Sequence, residues 1–216
     1  MAPKARFTRA RLQEAALALA DAEGLAGLSM RTLAAALGTG PMTLYNYVKD
    51  RDDLDALVVE AVLAEVKPSR PRGGTAADWQ AEVRALVEAT WRAVRGHPNV
   101  IPLIATRRTL HETTLVWAED LLEALARSGR SGADLLVAFR TVTGFVIGFA
   151  QAQLGPLSEA PTGDHPDVAR AQALPADRFP RLIEIARAAT RLGPDREFRS
   201  GLDILMAGLA AGVRPA

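Results

Sequence analysis

Apolar residues recur every three or four positions along almost the whole chain, and this spacing is the period of an α-helix. The alternation of β-branched and polar residues that predicts strands is rare. Glycine, proline and capping residues divide the periodic stretches into separate helices. The pattern therefore predicts an all-α protein.

The first three predicted helices form an N-terminal group. Thr8 caps a first helix that Gly24 ends, and Ser29 caps a second helix that Gly38 ends. A four-residue turn then leads into a third helix, predicted over 41–48, which begins with a proline. Two helices joined by a tight glycine turn are the helix-turn-helix arrangement.

A fourth helix, capped by Asp50, is predicted to connect this group to the rest of the chain. Residues 67–75 are the clearest break in periodicity. We therefore expect a helix-turn-helix domain over 1–50, a connecting helix over 51–66 and a C-terminal domain over 67–216. In the last of these we expect a first helix capped by Thr75 and ending at Gly96, and further helices over 110–128, 131–154, 176–191 and 195–212. Residues 155–175 are expected to form a mobile loop.

Composition narrows the class of protein. The chain has 216 residues, is 49% hydrophobic and has no cysteine, which excludes thiol catalysis, disulfides and thiolate metal sites. Its N-terminus is polar and basic, so we expect no secretion signal and a cytoplasmic protein. The apolar stretch from Leu135 to Leu154 contains Arg140, Gln151 and Gln153, which favours a buried helix over a membrane span.

Charge is distributed unevenly. The net charge of the whole chain is only +1, whereas residues 1–51 carry seven Lys or Arg against four acids. A nucleic-acid surface, if present, is therefore expected at the N-terminus. The three histidines lack metal-site spacing, and there is no nucleophile elbow, phosphate-binding loop or dinucleotide fingerprint. We expect no metal, no cofactor and no enzymatic activity.

The helix-turn-helix prediction assigns a chemical role to residues 29–49. Asn46 can bond an adenine edge in two places, and Thr43 can contact a phosphate or a thymine methyl. Aromatic hydroxyls and Lys49 suit phosphate contacts, which hold the duplex without reading its sequence. The alternative is a plain αα-hairpin with its two tyrosines, Tyr45 and Tyr47, half buried against the first helix.

Residues 24–38 and 42–54 resemble the DNA-binding domain of the TetR family of bacterial regulators, in which the second helix of the motif typically reads Thr-Leu-Tyr, a variable residue, then His or Tyr. The resemblance spans roughly residues 8–57. Gly40 stands where the family commonly has a serine cap. The resemblance implies a DNA-binding regulator with contacts from Arg31, Gly40, Pro41, Met42, Thr43, Tyr45, Asn46, Tyr47 and Lys49.

Residues 198–209 resemble the last helix of the tetracycline-repressor type of C-terminal domain, which implies a four-helix dimer core. Small residues recur on one side of this last helix and of the predicted helix over 131–154, and they permit two helices to approach closely. A homodimer would place two recognition helices one DNA turn apart on a palindromic operator. In the alternative, the glycines pack inside a monomer. The predicted interface consists of Gly144, Gly148, Ala152, Gly201, Leu205 and Gly208.

The C-terminal domain is also expected to bind a small-molecule effector. Aromatic residues and a few polar groups mark a candidate cavity, although aromatics at helical spacing more often belong to the plain core. In tetracycline-binding members of the family a histidine precedes a Thr-Arg pair; here Leu103 stands in its place, which argues against tetracycline. The predicted effector contacts are Trp91, Ile104, Thr106, His111, Trp117, Arg140, Phe145 and Gln151.

The interpretation at this point is a repressor that a small hydrophobic or aromatic molecule releases from its operator. Three alternatives stay open. In the first, the C-terminal domain only dimerises, without any inducer. In the second, the regulator activates rather than represses. In the third, the chain is a helical enzyme or carrier, against which stands the absence of a catalytic motif.

Overall fold

The computed structural model describes residues 7–67, 75, 78–106, 111–154 and 166–212, and every regular element in these ranges is a helix, which confirms the all-α prediction. A 3₁₀ turn over Pro98–Val100 joins the fifth helix to the sixth. The α-helices within the described ranges are α1 (Arg9–Gly27), α2 (Met30–Ala36), α3 (Pro41–Leu44), α4 (Arg51–Ala64), α5 (Trp79–Gly96), α6 (Ile101–Thr106), α7 (Glu112–Ala126), α8 (Gly132–Leu154), α9 (Pro166–Gln172), α10 (Pro180–Ala189) and α11 (Pro194–Ala211).

Local capping explains where α1 and α2 begin and end. Thr8 accepts a hydrogen bond from a backbone amide of the first turn of α1, and Gly24, at φ 69° and ψ 177°, interrupts that helix three residues before its end. Ser29 and Thr32 form a reciprocal capping box at the start of α2. Gly38 then turns the chain with a φ of +63°. The predicted caps at Thr8 and Ser29 and the turn at Gly38 are confirmed, whereas α1 continues past Gly24 to Gly27.

Helix α3 is shorter than predicted: it ends at Leu44 rather than at residue 48. The amides of Tyr47 and Val48 both donate to the carbonyl of Leu44, at 2.8 and 2.9 Å. The first of these bonds spans three residues, as in a 3₁₀ turn, so the last turn of the segment is tightened. Leu44 and Val48 remain fully buried, and the segment still packs as one unit against α2.

Helix α4 lies between the N-terminal and C-terminal parts of the molecule. Asp50 caps it by accepting a hydrogen bond from the amide of Asp53. Helix α1 packs on one side and α5, α6 and α7 pack on others. As a result every residue from Leu54 to Val62 is buried, including the two carboxylates Asp55 and Glu60.

The core of the C-terminal part is built around α5. Helix α5 begins at Trp79, four residues after the predicted cap at Thr75, and buries one broad face. Near its C-terminal end Trp91 stacks on Phe198 of α11, with ring centroids 4.6 Å apart and planes inclined by 9°. Phe145 and Phe149 of α8 complete this aromatic cluster, each with its centroid within 6 Å of a neighbour.

Helix α8 is only half covered, which corrects the expectation of a buried helix. Ala138, Val142, Val146 and Ala150 follow one another at four-residue spacing and are buried. On the opposite face Val137 is 53% exposed, and Arg140, Gly144, Gly148 and Gln151 are exposed with it. By length and composition alone α8 is the one helix of the described ranges apolar enough to cross a membrane, although only 22% of that window is buried.

The stretch predicted as a mobile loop is partly helical. Residues 155–165 lie outside the described ranges, but α9 occupies Pro166–Gln172 and packs against α10. An apolar groove of about 440 Å³ runs between these helices and is lined by Val168, Leu182 and Ile185 among others. The loop prediction was wrong here because the short apolar period of α9 is embedded in a sequence rich in proline and glycine.

Candidate nucleic-acid interface

The predicted DNA-contact residues lie around α3 on the outside of the N-terminal domain. Met42 is 79% exposed and Tyr45 is 49% exposed. Thr43 and Tyr47 are half-buried, whereas the remaining predicted contacts are exposed: Arg31, Gly40, Pro41, Asn46 and Lys49. The opposite side of the same segment buries Leu44. The fold therefore separates a packing side from a solvent side within one turn of helix.

The two tyrosines differ in surroundings. Tyr47 contacts Phe7, just before α1, edge to face, with ring centroids 6.0 Å apart and planes at 76°. Tyr45 has about half of its surface exposed. The alternative of two tyrosines packed against the first helix therefore describes Tyr47 only.

The tip of α3 has an unusual cap. Gly40 is the N-cap residue and supplies no side chain, so only its carbonyl takes part, accepting from the amide of Thr43 at 3.0 Å. A Cβ built on Gly40 has no atom within 4 Å. Its φ of −84° is also ordinary for any residue, so a side chain here would point into open space.

Two of the seven basic residues in the N-terminal segment, Arg9 and Arg51, bond other groups of the chain itself. Arg51 bonds Asp55 at 2.7 Å, and its other nitrogens donate to the carbonyls of Leu28 and Leu25. Arg9 bonds Glu60 through two nitrogens. Of the other basic residues that the structure describes in this segment, Arg11 lies beside Glu14 on the surface of α1, and Arg31 and Lys49 are exposed near α2 and α3.

The N-terminal domain is joined to the C-terminal domain by polar contacts as well as by α4. His97, between α5 and the 3₁₀ turn, places Nδ1 2.8 Å from Asp21 of α1 and Nε2 3.1 Å from Glu65 after α4. Asn99 donates to the carbonyls of Ala20 and Asp21. Burial alone would lower the pKa of His97, but the hydrogen bonds to the two carboxylates outweigh it and raise that pKa.

The aromatic residues predicted to contact an effector are held by hydrogen bonds as well as by packing. The indole of Trp91 donates to Asp195 at 2.9 Å, and the indole of Trp117 donates to Thr90 at 2.9 Å. The bond from Trp91, together with Arg95, lowers the pKa of Asp195. Trp91 lines a cleft of about 450 Å³ between α5 and α11, beside charged residues.

The other predicted effector contacts are dispersed. Ile104 and Phe145 are half-buried, and Nδ1 of His111 lies 3.3 Å from Oε1 of Glu60. Arg140 and Gln151 are exposed on the bare face of α8, alongside the glycines predicted for the dimer interface. The side chain of Thr106 lies outside the described residues. The eight residues are therefore not gathered around one described cavity.

The residues predicted for the dimer interface also fall into two groups. Gly144, Gly148 and Gly208 are exposed, and a Cβ at any of them has no atom within 4 Å. Ala152 is exposed near them, and Leu205 is half-buried. Gly201 instead faces its own chain, because its Cβ would lie 2.9 Å from the ring of Phe145.

Sequence reasoning missed three polar residues that connect distant parts of the structure through side-chain hydrogen bonds. These residues are Glu60, His97 and Asp195. Glu60 carried a visible signal, since it is the one charge within the apolar run 56–63. A charge at such a position is expected to be paired inside the protein. Its partners lie as many as 51 residues away, and local periodicity does not identify them.

Family models match both parts of the chain. The model of bacterial regulatory proteins of the tetR family matches residues 12–56, and the model of the tetracyclin repressor-like C-terminal domain matches residues 70–213. The chain belongs to the TetR family. It is therefore a DNA-binding transcription regulator and not an enzyme, and the helix-turn-helix prediction is confirmed over the plain hairpin.

Relatives and solved structures agree with this assignment to the TetR family. The chain is 33% identical to the HTH-type transcriptional repressor DrrR1 of Streptomyces coeruleorubidus over 96% of this chain and 78% of that protein. It is 30% identical to tetracycline repressor protein class D of Escherichia coli over 94% and 89%. The TetR family protein ActR of Streptomyces coelicolor, solved in complex with (S)-DNPA, superposes with a TM-score of 0.80 at 33% identity over 99% of this chain and 100% of ActR.

Proposed function

We propose that this TetR-family protein is a homodimeric transcriptional repressor that binds a palindromic operator and releases it when a small hydrophobic or aromatic molecule binds the C-terminal domain. The observation that carries the proposal is the exposed surface of α3 on a domain joined to the C-terminal domain by α4, a helix buried by both. The relative DrrR1 is itself a repressor by name. We further propose domains over 1–50 and 67–216, a connector over 51–66, and a cytoplasmic location.

On the DNA side, the exposure around α3 supports a division of labour. Asn46 and Met42 project from the turn that would enter the major groove, so we assign them to base edges, with Thr43 beside them. Tyr45 and Lys49 lie at the flank and are assigned to phosphates. Arg31, Gly40, Pro41 and Tyr47 complete the proposed contact surface.

For the dimer, the bare faces of α8 and α11 supply the support. Ile204 is 76% exposed on α11 and Gly208 is exposed on the next turn of the same face. Val137, Gly144 and Gly148 form a corresponding face on α8. Apolar residues exposed on two neighbouring helices are typical of an interface between copies of a chain, and closed two-fold pairing is the commonest solution. We propose that Arg140 and Gln151 lie at its edge.

On the effector side, the proposal rests on the aromatic character of the C-terminal core. ActR has been solved with (S)-DNPA and, at a TM-score of 0.77, with actinorhodin. For this chain we propose an aromatic effector that contacts Trp117, Ile104 and His111, which are half-buried and lie near α6 and α7. Both compounds named in those structures are suitable probes.

The first experiment measures binding of the purified full chain to its own upstream DNA by fluorescence anisotropy at several salt concentrations. The proposal predicts tight binding that depends on a palindrome and weakens steeply with salt, since phosphate contacts supply much of the affinity. Competition by scrambled DNA as effectively as by the palindrome, or a salt-independent signal, would contradict it.

Two single variants test the division of labour. Asn46→Ala should lose about 1–3 kcal/mol on the best sequence and relax discrimination at one position, whereas Lys49→Ala should weaken every sequence alike and reduce the salt slope by about one. The measurement is the same anisotropy titration on the palindrome and on its single-base variants. Equal losses for both variants on every sequence would refute the assignment.

A DNA-binding dimer without an inducer is the second candidate. The observation that favours it is the tight packing of Trp91 against Phe198, with its indole nitrogen already bonded to Asp195. Adding actinorhodin or (S)-DNPA to the preformed complex with upstream DNA separates the two candidates. Release of DNA supports the inducible repressor; no release of DNA and no quenching of tryptophan fluorescence with either compound supports the dimer without an inducer.

A further inference from the structure

Glu60 and Asp55 are the two carboxylate residues that are buried among the described residues, and Glu60 lies deeper in α4. It lies on α4 between apolar neighbours, and its side chain is only 3% exposed. Arg9 of α1 bonds both oxygens, with Nε 2.9 Å from Oε2 and Nη2 2.6 Å from Oε1. Gln13, one turn further along α1, donates to Oε2 at 2.7 Å. His111, the residue before α7, places Nδ1 3.3 Å from Oε1.

These contacts connect three parts of the molecule at one buried point. Arg9 and Gln13 belong to the DNA-binding domain, Glu60 to the connecting helix, and His111 to the C-terminal domain. A buried carboxylate is stable only while its hydrogen bonds and counter-charge are in place. Because Arg9 and His111 approach the same oxygen, a change in the position of one alters the interaction energy of the other.

We infer that Glu60 is a positioning residue that couples the C-terminal domain to the DNA-binding domain. Glu60 holds α1 through Arg9, and the position of His111 determines how firmly it does so. The inference rests on the proposed function, in which an effector acts near α6 and α7. It adds the residue through which that action reaches α1.

The geometry at the two ends of α1 supports this role. The first turn of α1 is held at Glu60, whereas Asp21 and Ala20 near its other end are held by His97 and Asn99. These attachments are about 18 Å apart along the helix, at 1.5 Å per residue. Release at Glu60 alone would therefore let α1 pivot about its far end, and Phe7, which contacts Tyr47, would move with it.

The test uses hydrogen exchange of the full chain without DNA, so that it does not depend on operator binding. His111→Ala removes a side chain of the C-terminal domain that approaches Glu60. The coupling predicts that backbone amides of residues 12–17 in α1 exchange about fivefold or more faster in this variant, the lower end of typical coupling between sites. His111→Asn, which keeps a donor near the Nδ1 position, should exchange like the wild type.

Glu60→Gln should give the same acceleration in α1, and the double variant Glu60→Gln, His111→Ala should exchange no faster than Glu60→Gln alone, because both changes act through one contact. Glu14→Gln, which removes an exposed carboxylate from the same helix, is the matched control and should leave exchange unchanged.

Unchanged exchange in α1 of His111→Ala, or acceleration that adds fully in the double variant, would overturn the inference. The comparison of His111→Ala with His111→Asn decides it even if Glu60→Gln does not fold. Failure of the proposed function has a different signature, which is the absence of palindrome-dependent DNA binding by the wild type.

Discussion

Helices α4 and α8 are both rich in apolar residues, yet the chain covers them differently. Around α4 the N-terminal and C-terminal domains leave no residue exposed from Leu54 to Val62. On α8 the chain covers one face, with Val142 at its centre, and leaves Val137 and Gly148 on the other face in contact with solvent. The difference lies in the surroundings rather than in the composition of the two helices.

The comparison indicates what each helix does. A helix buried by two domains of one chain can transmit a displacement between them, because close-packed interiors do not absorb movement. A helix with a bare apolar face is expected to be covered by a second molecule. The small residues on the bare face of α8, Gly144 and Gly148, allow that molecule to approach closely. Substitutions in and around these helices test the distinction.

Leu57→Ala should have the largest effect. Leu57 is 1% exposed at the middle of α4, so truncation removes buried surface and leaves a cavity between both domains. We expect a loss of about 2–5 kcal/mol in the free energy of unfolding, measured by urea denaturation. Leu182→Ala on α10, where Leu182 is 45% exposed, is the matched control and should lose less than about 1 kcal/mol. Equal losses would show that α4 is not the more tightly packed helix.

Gly148→Leu tests the bare face of α8. A Cβ at Gly148 meets no atom of its own chain, so the secondary structure of a single chain should be unaffected, whereas close approach of a second α8 should be blocked. We expect a monomer by size-exclusion chromatography and operator affinity weaker by about tenfold or more, since both half-sites are needed. Gly201→Ala is the contrast: its Cβ meets Phe145 at 2.9 Å, so it should destabilise the chain without separating the dimer. A dimeric Gly148→Leu variant would place the interface elsewhere.

His97→Gln tests the polar attachment at the end of α4. The hydrogen bonds to Asp21 and Glu65 raise the pKa of His97 in the folded protein, so its stabilising effect is complete below the unfolded pKa of about 6.5 and is lost as the pH rises through the folded pKa. The variant should therefore be less stable than the wild type at pH 6, by about 1 kcal/mol or less, and closer to it at pH 8.5. Urea denaturation at both pH values measures this. A gap that widens with pH would contradict the assignment.

Gly40→Ser should have the smallest effect. A side chain at Gly40 meets open space at the start of α3, and serine caps a helix slightly better than glycine, by a few tenths of a kcal/mol. We expect a slight rise in Tm by circular dichroism. A fall in Tm would mean that the surface around α3 is less open than the structure shows.

Local structure could be predicted from the sequence where it depends on residues that are close together in the chain. The capping box of Ser29 and the turn at Gly38 involve groups a few positions apart, and both could be predicted from residue type and spacing alone. The end of α3 could not be predicted in this way. The hydrogen bond from Tyr47 to Leu44 forms a tightened turn, whose energy differs little from that of a regular α-helical turn.

Contacts between distant residues were beyond prediction from local pattern. The charge of Glu60 within an apolar run indicated a buried pair, but nothing in the sequence identified Arg9 or His111 as its partners. Arg140 and Gln151 illustrate a different limit. Their helical spacing places them on the face opposite Val142, yet their polar chemistry had grouped them with the effector residues. Periodicity was the better guide to location than residue type.

Sedimentation velocity of the full wild-type chain, at micromolar concentration with and without its palindromic upstream DNA, tests the central claim most directly. We expect a dimer in both conditions and two chains on each duplex, because the bare faces of α8 and α11 pair and set the spacing of the two α3 surfaces. A monomer both free and on DNA would contradict it.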